Sequence, residues 1–385
     1  MFEQELSGLE RQHLLRRFMV VEPYVGPRIT VDGRSMLLMC SNDYLGLSAH
    51  PALREAAVKA MERYGFGSGA SRLISGTSAL HVELERRIAA FKGTESALLF
   101  NSGYAANTGI IPAIAGEGDV ILSDRLNHAS IIDGCRLSKA KLVVYPHKDV
   151  EHLENALKKN KNAKRTLIVT DGVFSMDGDI APLPELLFLS VKYDAILMVD
   201  DAHATGVLGG NGRGTAEHFG LDGRVHIQMG TLGKAFGSFG AYAAGDRDVI
   251  EYLVNRARSF IYSTALPPAV CAASLAAISL VEGKPELRKT LWDNRERFVH
   301  GLDAMGVSTG ISKTPIVAVI MGESANALRT SGKLFDHGIY ATAVRPPSVP
   351  DGAARIRATV TAAHSSEDID AALAAFGRLK QEGHL

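Results

Sequence analysis

One lysine stands in IQMGTLGKAFGSFG (227–240), among four glycines and two phenylalanines, with no other charge in the stretch. Desolvation penalises an ammonium, so a lysine held in apolar surroundings loses its proton or gains a partner. An unprotonated Lys234 is a nucleophile that can form a Schiff base with an aldehyde; the plainer alternative is a glycine-rich loop whose lysine reaches solvent. AILMVDDAHATG (195–206) ends an apolar run in Asp200, with His203 three residues on. The carboxylate could keep a ring nitrogen protonated while the histidine reaches a second polar atom of the same ring. A helix-capping aspartate and a solvent-facing histidine would read the same way. SDRLNHASIIDG (123–134) sets His128 after a further strand end, either to lie against a flat cofactor or to cap a helix. TDGVFSMDGD (170–179) offers the Ser175 hydroxyl, and Thr231 precedes Lys234 by three residues, within reach of a phosphate oxygen. NSGYAAN (101–107) places small residues at a strand-to-helix turn, where free N–H groups bind anions.

Taken together these are an anion-binding turn, a carboxylate, two histidines, two hydroxyls and a lysine, mostly at strand C-terminal ends. Pyridoxal 5′-phosphate (PLP) needs that set: an amine for its aldehyde, an acid partner for its pyridine nitrogen, and N–H and hydroxyl groups for its phosphate. Other motifs fail on context. GFGSGASR (65–72) resembles a dinucleotide loop, but the residues before it, EAAVKAMERY, read as a helix and not a strand. A Walker loop would need glycine at Gln228 and a hydroxyl residue at Ala235, and neither GxSxG nor HExxH occurs.

These residues need a scaffold that lines up strand ends. From about residue 78 the chain alternates apolar strands (ESALLF, DVILS, KLVVY, TLIVT, AILMVD, HIQMG, AYAAG) with helix-length segments. Continuous apolar strands alternating with helices predict a mostly parallel sheet covered on both faces. SALHVELERRIAAF sets Leu80, Leu84, Ile88 and Phe91 on one helical face. A helix is expected over about 3–18, short strands at ITVDG and SMLLMC, and a helix from Pro51. A long helical stretch is expected over 267–305. In the tail, TPIVAVIMG, GIYATAVRPPSVP and ARIRATVTAAH read as strands, and Ser365 and Asp368 form a capping box for a last helix. The expected organisation is an N-terminal segment (1–49), a large α/β domain (50–285) and a smaller α+β domain (286–385).

With 42 basic and 42 acidic residues the net charge is zero, so nothing marks a nucleic-acid footprint. The three cysteines (Cys40, Cys135, Cys271) lie far apart, which argues against a zinc site or a disulfide framework. No metal is expected. The N-terminus lacks a secretory pattern, and no apolar run approaches the ~18 residues of a membrane span. The expectation is a soluble cytoplasmic protein.

SNDYLGLS, GSGASR, SGYAAN, TDGVFSMDGD, VDDAHATGVLG, TLGKAFG, IYSTALPP, RPPSVP and TAAH occur in this order. Along nearly its whole length the chain therefore resembles the α-oxoamine synthases, PLP enzymes of fold type I. FSMDGD, VDDAHATGVLG and the RPPSVP…TAAH tail resemble those members that join L-alanine to a pimeloyl thioester, on coenzyme A or an acyl-carrier protein. A sister synthase using glycine or serine, and a non-catalytic PLP-binding protein, are the alternatives. The resemblance implies that Lys234 joins the cofactor aldehyde, Asp200 pairs with the pyridine nitrogen, His203 approaches the phenolic oxygen and His128 stacks on the ring. Gly103 and Tyr104 would supply the phosphate-side turn, with Ser175 and Thr231 as further contacts. Ser263 and Thr264 would reach the phosphate bound by the partner subunit of a homodimer. Arg345 would bind the amino-acid carboxylate, and Arg16, Asn42 and Ser348 complete the substrate set. Ser348 stands where the family usually has threonine, and Ala204 where it often has glycine.

Overall fold

The computed structural model describes residues 2–22 and 26–385. The chain divides into two compact units: His50–Phe174 with Ile180–Pro285, and Met1–Ala49 with Ser175–Asp179 and Glu286–Leu385.

The first unit is built on seven strands: β1 (Ser96–Phe100), β2 (Val120–Asp124), β3 (Lys141–Tyr145), β4 (Thr166–Asp171), β5 (Ile196–Asp200), β6 (Ile227–Thr231) and β7 (Ala241–Gly245). Their order is β1-β7-β6-β5-β4-β2-β3. The pairs from β6 through β3 are parallel, and β7 runs antiparallel to both its neighbours. Successive side chains leave a strand on opposite faces, and both faces here are apolar. Ile121, Leu167, Val169, Met198 and Met229 pack on one face with Ile110, Ile111 and Ile131. Leu122, Ile168, Leu197 and Val199 pack on the other with Leu153, Leu157, Leu183 and Leu186. Burying one such side chain stabilises the fold by about 1.5–3 kcal/mol, so a charge at any of these positions would be excluded.

This alternation sets the site. Asp171 is two residues beyond Val169, Asp200 two beyond Met198 and Thr231 two beyond Met229. All three leave the sheet on the face covered by the helices Gly103–Ile114 and Ala129–Leu137. They are also the last residues of β4, β5 and β6, at the carboxyl edge where open α/β sheets bind ligands.

The second unit holds two three-stranded sheets. In one, Arg28–Val31 and Arg34–Leu38 form a hairpin through Asp32 and Gly33, with φ of 49° and 74° as a tight hairpin turn requires, and Ile339–Tyr340 adds in parallel. In the other, Ala354–Thr359 lies between Ile316–Gly322 and Thr342–Val344. The expected GIYATAVRPPSVP strand is thus two short strands in different sheets, and its proline-containing end joins neither, since proline cannot donate to a ladder. The last helix, Ser366–Gln381, carries the expected capping box of Ser365 and Asp368.

Two helical expectations are corrected. The first helix ends at Arg11, and His13 adopts a left-handed φ of 56° that stops it short of residue 18. The stretch over 267–305 is two helices, Pro268–Gly283 and Pro285–Ala304, because Pro285 has no N–H for the ladder and clashes with the preceding turn. Among the described residues, no helix is long and apolar enough to cross a membrane.

Candidate active site

The β6–β7 connection explains why Lys234 sits among glycines. Leu232 N–H bonds Gly240 O, Ser238 N–H bonds Leu232 O and Gly237 N–H bonds Lys234 O, closing a tight loop. Gly237 (φ 59°) and Gly240 (φ 101°) supply the left-handed turns that closure needs. Ala235 and Phe236 are buried, with Phe236 edge-on to Phe91 at 5.7 Å, so the loop is pinned to the core on one side. Lys234 is half-buried on the other, its Nζ 2.8 Å from His203 Nε2.

Asp200 is buried and accepts hydrogen bonds on both oxygens, from Ala202 N–H (2.9 Å) on Oδ1 and Asn107 Nδ2 (2.8 Å) on Oδ2. Burial raises its pKa; the Lys234 ammonium, these donors and His128 pull the other way. His128 caps the helix Ala129–Leu137: its Nδ1 accepts Ser130 N–H at 3.2 Å and lies 2.7 Å from Ser130 Oγ. An accepting Nδ1 places the ring proton on Nε2. Burial pushes the His128 pKa down, with Lys234 adding to the effect and Asp200 opposing it, so the ring is neutral. The capping and cofactor readings of His128 are therefore compatible.

Gly103, Tyr104, His128, Ser130, Asp171, Asp200, Ala202, His203, Met229, Thr231 and Lys234 line one cleft of about 210 Å³. Ser102 caps the helix Gly103–Ile114 through Ala105 N–H, and the first-turn N–H groups of Gly103 and Tyr104 have no intrahelical acceptor. Among the described residues, the buried Thr231 Oγ1 has no hydrogen-bond partner. A Cβ at Gly103 would stand 2.9 Å from Thr231 Cγ2, so glycine keeps the helix start against that hydroxyl residue. A strand-end carboxylate held by two donors, an amine, an orphaned hydroxyl and a helix N-terminus fit PLP.

The remaining expected residues lie elsewhere. Ser263 and Thr264 belong to the same unit but do not line this cleft; Thr264 bridges to Ser71 and its C=O accepts from Asn101 Nδ2 at 2.8 Å. Ser175, Asn42, Arg16, Arg345 and Ser348 belong to the second unit. Ser175 O accepts from Arg357 Nε at 2.6 Å, and Arg357 Nη2 donates to Asn42 Oδ1 at 3.1 Å. Arg345 donates to His13 O, its C=O accepts from Ser348 N–H, and its pKa is lowered by burial and by the nearby Arg16 charge. Sequence reasoning missed Asn107, Ser130 and Asp171. All three fall inside quoted segments, and only the fold brings Asn107 to Asp200, Ser130 to the His128 ring and Asp171 to the His128 N–H.

An open, mostly parallel sheet carrying lysine, carboxylate and imidazole at its carboxyl edge defines a PLP-dependent enzyme of fold type I. The model for aminotransferase class I and II matches residues 34–376, and the chain belongs to that family. It is 56% identical over 381 residues to 8-amino-7-oxononanoate synthase of Geotalea daltonii, covering 98% of this chain and 97% of that one. Its structure is similar to serine palmitoyltransferase from S. paucimobilis solved with PLP bound, with TM-score 0.95 and 32% identity, covering 100% and 98% of the two chains. It is also similar to 8-amino-7-oxononanoate synthase from Francisella tularensis, with TM-score 0.78 and 31% identity over 91% and 99%.

Proposed function

We propose that this cleft makes 8-amino-7-oxononanoate for biotin biosynthesis. The chain is a PLP-dependent acyltransferase that condenses L-alanine with a pimeloyl thioester. The new carbon–carbon bond joins the alanine α-carbon to the acyl carbonyl, the thiol leaves, and the alanine carboxylate departs as CO2. The reading rests on one observation: Lys234, His203, Asp200 and His128 share a cleft with an orphaned Thr231 hydroxyl. The choice of this member of the fold is supported by 56% identity over 381 residues to 8-amino-7-oxononanoate synthase of Geotalea daltonii.

When bound, PLP supplies an electron sink for the charge that develops at the amino-acid α-carbon. Lys234 would hold the cofactor aldehyde, and its Nζ would take the amino-acid α-proton. Asp200, fixed by Ala202 and Asn107, would hold the ring nitrogen cationic. His203 orients Lys234 and would approach the ring oxygen, and neutral His128 would stack on the ring with its Nε2–H available as a donor. Thr231 and the N–H groups of Gly103 and Tyr104 would take phosphate oxygens. Arg345 and Arg16, close enough to repel, suit a substrate carboxylate. Ser175, Asn42 and Ser348 are assigned by resemblance alone. Ser263 and Thr264, away from the Lys234 cleft, suit the phosphate of a second subunit in a homodimer. Three free cysteines suit a cytoplasmic enzyme.

The test offers alanine, glycine and serine with pimeloyl, acetyl and palmitoyl thioesters on coenzyme A and on carrier protein. Alanine with a pimeloyl donor is expected to give the highest kcat/KM, with equal thiol and CO2. Serine with a palmitoyl donor in first place would sink the assignment. Lys234→Ala is expected to abolish turnover in a folded protein, and mixing it with a Ser263→Ala/Thr264→Ala variant is expected to restore part of the activity if sites are shared across a dimer.

A further inference from the structure

Asp171 and Asp200 stand directly opposite each other in the register of β4 and β5. Neighbouring strands lie about 4.8 Å apart and residues in register project to the same face, so the two carboxyls occupy one wall of the cleft. Both residues are buried and both line it. Their donors differ. Asp200 accepts on both oxygens, whereas Asp171 accepts His128 N–H on Oδ2 at 2.7 Å. The other ionisable groups that line the cleft with Asp171 are Lys234 from the loop after β6, His203 after β5, and His128 and Tyr104 at helix starts; Asp124, at the end of β2, lies two residues beyond Leu122 and leaves the sheet on the opposite face. Asp124 is itself saturated by Leu126 N–H, Lys148 N–H and His147 Nδ1. One lysine thus faces two strand-end carboxyls, and two adjacent buried carboxyls do not both ionise.

We propose that Asp171 is a positioning residue that keeps its proton while Asp200 stays ionised, so that the pair carries a single negative charge and the Asp171 carboxyl pins the main chain of His128. The donor asymmetry decides which member keeps the proton, because two N–H groups aimed at Asp200 favour its charged form. Burial and the Asp200 charge push Asp171 well above the usual carboxylate range, in agreement. The wall then offers one negative charge to a cationic ring nitrogen, in place of two that would repel each other and draw Lys234 into an ion pair. Pinning His128 N–H also fixes the first turn of the helix whose cap is the same residue's ring.

The proton's residence is measurable without cofactor and does not depend on the reaction; only the effect on turnover rests on the role given to Asp200 above. Infrared difference spectra of cofactor-free wild type against Asp171→Asn at neutral pH are expected to show loss of a protonated carboxyl C=O band, and against Asp200→Asn loss of carboxylate bands. In wild type the protonated band should titrate away only above the ordinary carboxylate range. In the holoenzyme, Asp200→Asn is expected to lower kcat by about 10²-fold or more, and Asp171→Asn by less than about tenfold. Carboxylate bands lost in Asp171→Asn, or losses of turnover equal in the two variants, would overturn the proposal.

Discussion

Lys92→Met tests what holds the turn that carries His203. Lys92 ends the helix Ala79–Lys92, and its Nζ lies 2.9 Å from Asp201 Oδ2 and donates to Arg213 O. The two side chains are 0% and 1% exposed. Burial alone would lower the lysine's pKa; the charge of Asp201, supported by Tyr242 and Glu217, outweighs it and the pKa is raised. Asp201 also accepts from Thr215 N–H and, at 2.5 Å, from Thr215 Oγ1. Its main chain builds the turn: Asp201 N–H bonds Met229 O at 2.7 Å, and its C=O accepts from Ala204 and Thr205 N–H at 3.0 and 2.9 Å. Room for the pair comes from Gly214, where φ is 110° and a Cβ would stand 2.2 Å from Asp201 Oδ2.

Methionine keeps most of the lysine stem's volume and leaves Asp201 charged, buried and without its counter-ion. Breaking a buried pair from one side costs about 3–5 kcal/mol. The Thr215 bonds survive, so the lower end, about 3 kcal/mol, is expected. Lys92→Met with Asp201→Asn removes both charges and should recover most of the loss, so the double-mutant cycle should be strongly non-additive. Urea unfolding of the cofactor-free proteins measures the cycle, and cofactor release on dilution reports whether the His203 turn has loosened. A Lys92→Met protein within about 0.5 kcal/mol of wild type, or an additive cycle, would refute the reasoning.

Asn107→Leu removes the donor to Asp200 Oδ2, so Asp200 protonates more readily. Activity should fall by about 10- to 100-fold, and the acid limb of the pH profile should move upward; an unmoved limb would exclude Asn107 from this role. Gly103→Ala sets a Cβ against Thr231 Cγ2 and should weaken PLP binding with little change in Tm, measured by equilibrium titration. His364 is buried, with Nδ1 accepting Thr361 N–H and Nε2 donating to Leu38 O, and burial lowers its pKa below 6.5. The folded state then binds fewer protons than the unfolded chain. The stability His364 contributes is present above the unfolded value of about 6.5 and is lost as pH falls below it. Unfolding curves at about pH 7.5 and about pH 5.5 should show this loss in wild type and a smaller one in His364→Gln.

The seven strands of the large sheet were legible because most are short apolar runs without helical periodicity, bounded by turn residues and separated by helix-length segments. Asp200 and Thr231 were legible because they end such runs just before glycine- or alanine-rich turns. Asp171 ends one too, yet it drew no notice. A carboxylate at a strand end has meaning only once its face is known, and Val169 fixes that face through the packing of a helix some 60 residues earlier. Asn107 is less accessible still, since its amide serves a carboxylate 93 positions away. Lys92 and Asp201 are 109 positions apart, and nothing local to either residue names the other as its partner. Arg34–Leu38 pairs with Ile339–Tyr340 through a register that no local periodicity encodes. Residue type at a strand end is therefore written locally, whereas the state of charge at that end is not. Asp171 and Asp200 each close an apolar strand, and sheet order makes them neighbours. Only the placement of Asn107 and Ala202 around one of them decides which carries the negative charge.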